Sequence, residues 1–511
     1  RSMARAVAAL VLVAVPVLVE QPAYLVEDIN PVVTSTSDSS NLYWAQELAG
    51  KAIFATLVNT GCGYDGWEVR ATDGTAPNTT ELVSMPYLDA GGCSSDVYPV
   101  GQAAGLLYFR YREHCTNRTE LWRTDGTIAG TIELAELTGD VPANDPNRFA
   151  DLGGQAIFSV YQTSYGYELW TSDGTPGGTG LLTDLYPGAN SSDPYYLRVL
   201  GGQVYFRAND ATSSYELWVT DGTAGGTQLV KDIYPGVNGS YPEWLTVAGS
   251  QIFFRANDGT NGYELWVSDG TAAGTQLVED IYPGGNSTDL YYLTAVGSQL
   301  FFRANNGTNG YELWVSDGTA AGTQLVEDIY PGGNSGDPHY LTAVGSQLFF
   351  RANDGPNGYE LWVSDGTAAG TQLVEDIYPG GSSSSLDSLT AVGSQLYFRA
   401  YDGTHGWELW VSDGTAAGTQ LVEDIYPGGS SSDPNYLTAV GSQLYFRAND
   451  GPNGYELWVS DGTAAGTQLV EDIYPGGSSS DPNYLTAVGS QLYFRANDGP
   501  NGYELWVSDG T

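Results

Sequence analysis

The stretch Glu-Leu-Trp-Val-Ser-Asp-Gly-Thr at residues 264–271 returns along most of the chain at a fixed interval of 48 residues. Copies of the pattern Glu-Leu-Trp-x-x-Asp-Gly-Thr begin at Glu120, Glu168, Glu216, Glu264, Glu312, Glu360, Glu408, Glu456 and Glu504. Self-similarity at about 40 to 50 residues is typical of propellers and solenoids, in which each unit buries its faces only against its neighbours. The period therefore predicts a repeat architecture.

One copy divides into four short segments of alternating apolar and polar residues. They cover residues 293–296, 299–304, 311–316 and 323–330, and turn-forming residues such as Gly and Asn separate them. We call them strands a, b, c and d. No segment has a helical period, so the copy predicts a four-stranded antiparallel blade and an all-β fold of the β-propeller class. An open β-solenoid is the alternative, although coils of that kind are usually shorter and three-sided.

The two ends of the sequence complement each other. Residues 24–29 match strand d of the regular copies, whereas the sequence stops at Thr511, directly after a strand c. An N-terminal strand that completes the last blade would close the ring and remove an open sheet edge. With the diverged copy around Trp67 counted, this closure predicts ten blades, more than the usual four to eight. A truncated chain that stops there by chance is the alternative.

Charge and hydropathy bound the class of partner and the location. Sixty acidic residues oppose 18 basic ones, giving a net charge of −42. Nucleic acid and anionic membrane surfaces are therefore not expected as partners. The apolar run from Ala6 to Val19 follows Arg5 and is too short to span a bilayer, so residues 1–23 are predicted to be a signal peptide. We expect a secreted or cell-surface protein without a transmembrane segment in its mature chain. Its propeller domain would cover residues 24–511, with divergent blades over 24–135 and regular repeats over 136–511.

All three cysteines, Cys62, Cys93 and Cys115, lie in the first two, divergent copies. An odd number permits at most one disulfide within the chain. Both Cys93–Cys115 and Cys62–Cys93 would staple the irregular blades.

Aromatic residues are the strongest candidates for ligand binding. One aromatic stands next to the leucine of strand a in six copies: Tyr196, Trp244, Tyr292, Tyr340, Tyr436 and Tyr484. Flat rings among Asn, Asp and Ser side chains suit sugars, which stack on the ring and hydrogen-bond through their hydroxyls. Packing of these rings between blades is the alternative.

Calcium is the one cofactor with a chemical argument. Asp258, Asn261 and Glu264 offer oxygen ligands at close spacing around two glycines, as hard cations prefer. The pattern is not that of an EF-hand, and the same letters also encode turns. No metal motif includes the cysteines.

Signals for catalysis are weak. The three histidines, His114, His339 and His405, fall in different copies and cannot be placed together. No nucleophile elbow, phosphate loop or zinc motif is present. We therefore expect no catalytic residue and no enzyme.

The repeated phrase resembles the bacterial ELWxxDGT repeat family, seen here as residues 264–275 and covering roughly residues 110–511. The first copy departs from it, with Trp67-Glu68-Val69 in place of Glu-Leu-Trp. The resemblance implies a secreted or surface protein, often described as hyalin-like, with no established activity. The sequence thus predicts a non-catalytic binding or adhesion module for glycans or surface proteins. The alternatives are a structural matrix or surface-layer protein and, third, a polysaccharide-acting enzyme.

Overall fold

The computed structural model describes residues 23–26, 41–59, 64–86 and 94–510. Over these residues the chain forms ten antiparallel sheets that follow one another around a ring. This is the arrangement of a ten-bladed β-propeller, so the predicted fold class, the strand number per blade and the blade count are confirmed. Apart from isolated helical turns, the described residues are strands and loops.

The divergent copies form blades 1 and 2, and blade 3 differs from the regular blades by an additional strand. Blade 1 contains β2 (Asn41–Leu48), β3 (Lys51–Asn59), β4 (Tyr64–Thr72) and β5 (Thr80–Pro86). Blade 2 contains β6 (Ser95–Ala103), β7 (Leu106–Glu113), β8 (Arg118–Thr124) and β9 (Ile132–Leu137). Blade 3 contains β10 (Gly139–Asp140), β11 (Phe149–Leu152), β12 (Gln155–Gln162), β13 (Gly166–Ser172) and β14 (Gly180–Thr183). In blade 3 both β10 and β11 pair with β12.

Blades 4 to 10 repeat one pattern. Blade 4 contains β15 (Tyr195–Leu200), β16 (Gln203–Asn209), β17 (Tyr215–Thr220) and β18 (Gln228–Lys231). Blade 5 contains β19 (Glu243–Ala248), β20 (Gln251–Asn257), β21 (Tyr263–Ser268) and β22 (Gln276–Glu279). Blade 6 contains β23 (Tyr291–Val296), β24 (Gln299–Asn305), β25 (Tyr311–Ser316) and β26 (Gln324–Glu327). Blade 7 contains β27 (His339–Val344), β28 (Gln347–Asn353), β29 (Tyr359–Ser364) and β30 (Gln372–Glu375). Blade 8 contains β31 (Asp387–Val392), β32 (Gln395–Tyr401), β33 (Trp407–Ser412) and β34 (Gln420–Glu423). Blade 9 contains β35 (Asn435–Val440), β36 (Gln443–Asn449), β37 (Tyr455–Ser460) and β38 (Gln468–Glu471). Blade 10 contains β39 (Asn483–Val488), β40 (Gln491–Asn497) and β41 (Tyr503–Ser508). Short 3-10 turns occupy Ala76–Asn78, Pro176–Gly178, Ala368–Gly370, Ala416–Gly418 and Ala464–Gly466.

The ring is closed by the N-terminal strand β1 (Tyr24–Leu25), which pairs antiparallel with β41 and so completes blade 10. Tyr24 lies opposite Val507, and the Val26 N–H donates to the Leu505 carbonyl at 3.0 Å. Val26 is buried, as is Ala23, which the sequence analysis assigns to the signal peptide. We call this pairing of β1 with β41 the clasp. The predicted closure of the ring by the N-terminal strand is confirmed.

The hydrophobic core consists of a series of layers between neighbouring blades. On strand β24, Phe302 packs with residues of blade 5, such as Phe253. Its neighbour Phe301 points the other way and packs with residues of blade 7, such as Phe350. Because both faces of the strand are buried, its sequence is continuously apolar rather than alternating.

The outermost strand of each regular blade is shorter than predicted. Strand d was expected over residues 323–330, whereas β26 covers only Gln324–Glu327. Beyond it the Ile329 N–H donates to the Glu312 carboxylate at 3.1 Å instead of to a neighbouring strand. A buried side chain therefore ends the strand, and local alternation along residues 328–330 could not indicate it.

The Asp-Gly-Thr phrase forms the turn between the two outer strands. In blade 7 the Asp365 carboxylate accepts hydrogen bonds from the Thr367 N–H at 2.9 Å and the Thr367 hydroxyl at 2.7 Å. The Gly370 N–H in turn donates to the Thr367 hydroxyl at 3.0 Å. A Cβ at Gly370 would lie 2.0 Å from an oxygen of Asp365. Gly370, three residues after the phrase, is therefore required by close approach.

We expect Gly370→Ala to lower stability by about 1–3 kcal/mol, because the added methyl overpacks this turn. The matched control is Gly225→Ala, where a Cβ meets nothing within 4 Å. Alanine stands at the corresponding place in most other copies, and this substitution should be neutral or slightly stabilising. Thermal unfolding followed by circular dichroism distinguishes the two. Equal melting temperatures for both variants would contradict this role of Gly370.

Candidate functional site

The six predicted aromatics all lie on the innermost strands of their blades. Successive first strands contact one another around the ring, as β19 contacts both β15 and β23, so they surround the central channel. Each aromatic is the second residue of such a strand, next to the loop that enters the blade. We call this set the aromatic terrace: Tyr196, Trp244, Tyr292, Tyr340, Tyr436 and Tyr484.

A bulge at each terrace position turns the side chain. In blade 6 the pairing with β24 passes from Tyr291 directly to Thr294, and Tyr292 has a φ of +59°. The Thr294 hydroxyl donates to the Tyr292 carbonyl at 3.0 Å and holds the bulge. Positive φ is costly for a residue with a Cβ, and such strain concentrates at functional sites. All six terrace aromatics adopt it, with φ from +54° to +59°.

The terrace is accessible to solvent. Tyr292, Tyr340, Tyr436 and Tyr484 are 44–51% exposed, which does not fit packing of these rings between blades. Between blades 4 and 6 the terrace borders a cleft of about 580 Å³ lined by Tyr196, Trp244 and Tyr292. The rings thus face open space beside the channel, where a flat ligand can reach them.

Additional aromatic rings join the part of the terrace from Trp244 to Tyr340 into a row. Ring centroids lie 5.1 Å apart for Trp244 and Tyr291, and 5.2 Å apart for Tyr292 and His339. His339 lies 6.3 Å from Tyr340. The sequence alone assigned no role to His339. The signal that could have found it is that His339 occupies the position of Tyr291, one residue before the terrace aromatic.

The geometry of His339 fixes which ring nitrogen carries the proton when the imidazole is neutral. Its Nδ1 lies 2.6 Å from the Asp337 backbone carbonyl, which can only accept, so Nδ1–H is the donor. The Asp337 carboxylate lies 3.7 Å from the same nitrogen. Nε2 has no hydrogen-bond partner among the residues that the structure describes. Nε2 can therefore accept or donate a proton beside the terrace.

Ion pairs tie this region to the neighbouring blade. Arg303 of blade 6 contacts the Asp337 carboxylate of blade 7 at 2.6 Å, and the Tyr359 hydroxyl donates to the same group at 2.9 Å. Asp337 thus connects two blades directly beneath His339. Arg303 supplies the opposite charge.

A buried glutamate fixes the loop that carries His339. Glu312 accepts hydrogen bonds from the Gly336 N–H at 2.6 Å and the Ile329 N–H at 3.1 Å. Burial raises the pKa of Glu312 to about 8, mainly by desolvation. Raised carboxyl pKa values often indicate catalytic acids. Here, however, the group is fully buried and bonded to backbone, and it recurs in blade after blade, so it is structural.

The residues predicted to hold calcium have other partners. Both oxygens of Asp258 accept hydrogen bonds within its own loop, from the Thr260 N–H and from the Asn261 N–H and amide. Glu264 is buried and accepts from the Ile281 N–H at 3.0 Å. Over residues 23–26, 41–59, 64–86 and 94–510, no group of three or more His, Cys, Asp or Glu could hold a metal ion. The calcium site stays a prediction that this geometry does not support.

The remaining candidates lie away from the terrace. Cys115 is disulfide-bonded, but Cys62 and Cys93 lie outside the described residues, so the predicted pairing is not tested. His405 contacts the Asp402 carboxylate at 2.6 Å in the loop between β32 and β33. His114 contacts Asp96 at 2.7 Å in blade 2. Neither His405 nor His114 contacts a terrace ring.

No protein-family model matches the chain and no curated protein matches it, so the resemblance to the ELWxxDGT family is not confirmed. In the described part of the chain, no helix is both long and apolar enough to cross a membrane.

Several solved structures are similar to the chain at low identity. One is puromycin hydrolase, with 13% identity and a TM-score of 0.33 over 78% of this chain and 58% of that one. Another is the β-propeller domain of the Trilobed protease from Pyrococcus furiosus, with 10% identity and a TM-score of 0.29 over 74% and 96%. A third is an oligogalacturonate lyase in complex with manganese, with 12% identity and a TM-score of 0.33 over 81% and 97%. The chain thus spans less than two thirds of the length of puromycin hydrolase.

The prediction of a non-catalytic binding or adhesion module is contradicted, because the similar structures are named as a puromycin hydrolase, a prolyl endopeptidase and a lyase. The prediction that the chain is not an enzyme is contradicted on the same ground. Both are therefore abandoned. At these identities the similarity assigns no reaction to this chain, and the site has to be interpreted from its own residues.

Proposed function

We propose that this protein is an extracellular enzyme that breaks polysaccharide chains at the rim of its central channel. The aromatic terrace would bind the sugar chain, and His339 would be the proton-transfer residue. The observation that supports this most directly is the position of His339, whose ring lies 5.2 Å from Tyr292 and whose Nε2 is left available.

The terrace favours a polysaccharide over a small ligand. Its rings follow the channel rim from blade to blade, which suits a long chain whose successive units each need a flat apolar surface. Polar side chains at the start of these strands and in the loops before them, including Asn435 and Asp337, lie at the same rim and can bond sugar hydroxyls. A glycosidic bond held over His339 would then be hydrolysed. Nε2 would take a proton from a water molecule as the water oxygen bonds to the anomeric carbon, the bond to the leaving oxygen would break, and that oxygen would receive a proton. One water is thus consumed for each bond broken.

The test is release of new chain ends from a panel of neutral and acidic polysaccharides by the purified protein. We expect His339→Gln to lower kcat by about 10²–10⁴-fold, the usual contribution of a general acid or base. Tyr340→Ala should mainly raise KM, because it removes a stacking surface and leaves the proton transfer intact.

The matched control is His405→Gln, which removes a histidine that also contacts an aspartate but lies away from the terrace. It should retain full activity. Full activity of His339→Gln, or equal losses in the two histidine variants, would overturn the assignment. Absence of any chain breakage across the panel would overturn the proposed function itself.

A further inference from the structure

The arginines of three regular blades contact an aspartate of the next blade, and the arginine of blade 7 lacks this partner. Strand b of each regular blade carries an arginine, and for blades 4 to 9 the residue 34 positions later lies in the next blade. That residue is an aspartate in contact with the arginine for Arg303 and Asp337 at 2.6 Å, Arg399 and Asp433 at 3.7 Å, and Arg447 and Asp481 at 3.6 Å. Arg207 and Arg255 differ, because their acidic contact is Glu243. For Arg351 the corresponding residue is Ser385, which has no charge.

Arg351 consequently has no acidic partner among the residues that the structure describes. It contacts aromatic rings, with its guanidinium carbon 4.4 Å from the centroid of Tyr359 and 5.9 Å from that of Tyr340. Of its three side-chain nitrogens only Nε is buried without a hydrogen bond. Asp387, the first residue of β31 in blade 8, is bound by Arg399 through two contacts of 3.0 and 2.6 Å.

Blade 8, which follows Arg351 in the ring, interrupts the terrace. Ser388 occupies the terrace position of blade 8 and keeps the positive φ, at +58°. The backbone bulge is therefore present, whereas the ring is not, and a notch of about one aromatic side chain opens between Tyr340 and Tyr436. Arg351 lies beside this notch and directly opposite His339 in the strand pairing. An available cation, a gap and the candidate proton-transfer residue thus coincide at one place on the rim.

We propose that Arg351 binds the carboxylate of a uronic acid unit seated in the notch at Ser388. This inference rests on the proposed function and specifies its substrate class as uronate-containing polysaccharide. A guanidinium matches a carboxylate geometrically through two parallel hydrogen bonds, and an arginine stacked on Tyr359 is already oriented to make them. The net charge of −42 repels dense polyanions, so the substrate would be a chain in which uronate units are spaced among neutral ones.

The test uses monosaccharides, because they do not depend on the linkage of the polymer. Glucuronate and galacturonate are compared with glucose and galactose by saturation-transfer-difference NMR at about 0.15 M salt, where charges beyond about 8 Å are screened. We expect a uronate to bind at least about tenfold more tightly than its neutral counterpart, the effect of one charge-assisted contact. Arg351→Gln should remove this preference.

Two further variants separate binding at the notch from general charge effects. Ser385→Asp supplies the aspartate that Asp337, Asp433 and Asp481 provide for other arginines, so it should neutralise Arg351 and abolish the preference while Arg351 itself stays in place. Arg447→Gln removes an arginine that is already paired with Asp481 and should leave the preference unchanged. Circular dichroism of each variant confirms that it is folded.

Equal affinity for uronates and neutral sugars, or a uronate preference that survives both Arg351→Gln and Ser385→Asp, would overturn the assignment of Arg351. The proposed function fails differently, by absence of chain breakage across the polysaccharide panel. An active enzyme that cleaves only neutral chains would leave the proposed function standing and overturn this inference.

Discussion

A variant that lacks residues 1–26 should melt at a markedly lower temperature than the full chain and should associate with itself. The deletion removes the clasp, including the buried Val26 and its hydrogen bond to Leu505. Burial of a valine contributes about 1.5–3 kcal/mol and each hydrogen bond about 1 kcal/mol, so we expect a loss of about 3–6 kcal/mol. The deletion also leaves β41 as an open sheet edge, which favours pairing with another molecule.

The control is a variant that lacks only residues 1–21, which keeps the clasp and should melt like the full chain. Thermal unfolding gives the stability, and light scattering after gel filtration gives the mass in solution. A synthetic peptide of residues 20–30 should restore part of the lost stability of the longer deletion. If the two deletions melt at the same temperature, the clasp does not hold the ring closed.

Stability should fall as the pH rises from about 5 to 8, because a set of buried glutamates binds protons in the native state. Desolvation by burial is the main cause, and it raises the pKa of Glu360 from 4.5 to about 7. The unfolded chain loses this proton near pH 4.5, whereas the native protein keeps it to about pH 7. The stabilisation is thus complete below pH 4.5 and is lost as the pH rises through the folded pKa. Burial raises the pKa to about 7 or 8 at seven positions: Glu168, Glu216, Glu264, Glu312, Glu360, Glu408 and Glu456.

The exposed turn aspartates set the opposite limit. Hydrogen bonds from Thr367, chiefly from its hydroxyl, lower the pKa of Asp365 below its usual value of 3.8. Such a group stabilises the fold above that value and loses its contribution as the pH falls through its native pKa. Stability should therefore be greatest near pH 4 to 5 and lower on either side, in contrast to the common optimum of about pH 5 to 8.

Glu360→Gln tests the contribution of one buried glutamate. It removes one titrating group, so the decline in the free energy of unfolding between pH 4.5 and 7 should become less steep by about 1.4 kcal/mol per pH unit. Glu81→Gln, a change of the same chemistry at an exposed position, should leave the slope as it is. Denaturant unfolding at a series of pH values gives both slopes. An unchanged slope for Glu360→Gln would show that this carboxyl is ionised in the native protein.

The parts of the fold that could be predicted are those encoded within one copy or by comparison of the two ends. The Asp-Gly-Thr turn is formed by residues within six positions of one another, as Asp365 and Gly370 are. The local sequence therefore predicts the turn. The end of strand d depends on Glu312, which reaches Ile329 across the blade, and no local pattern contains that contact.

The candidate site was predicted only in part for the same reason. The terrace aromatics could be found in the sequence because they recur every 48 residues or a multiple of it. Their exposure depends on a backbone bulge that the sequence does not predict. His339 and Tyr292 lie in different blades, and their contact arises only when the ring is assembled. Arg351 is available for a ligand because the next blade has Ser385 where others have an aspartate. The sequence shows that Ser385 and Ser388 differ from the residues at the same positions of other copies. Their importance depends on knowing that both lie near Arg351.

The clasp also determines how the ring responds to mechanical force. Its two strands run antiparallel, with Tyr24 opposite Val507 and Leu25 opposite Trp506. A pull on the chain before Tyr24 and after Val507 therefore acts at one end of the pairing. The contacts would separate one after another, as in unzipping, rather than all at once, as in shearing. Under tension the clasp is thus the first part of the ring to open, while the interfaces between the other blades bear little of the load.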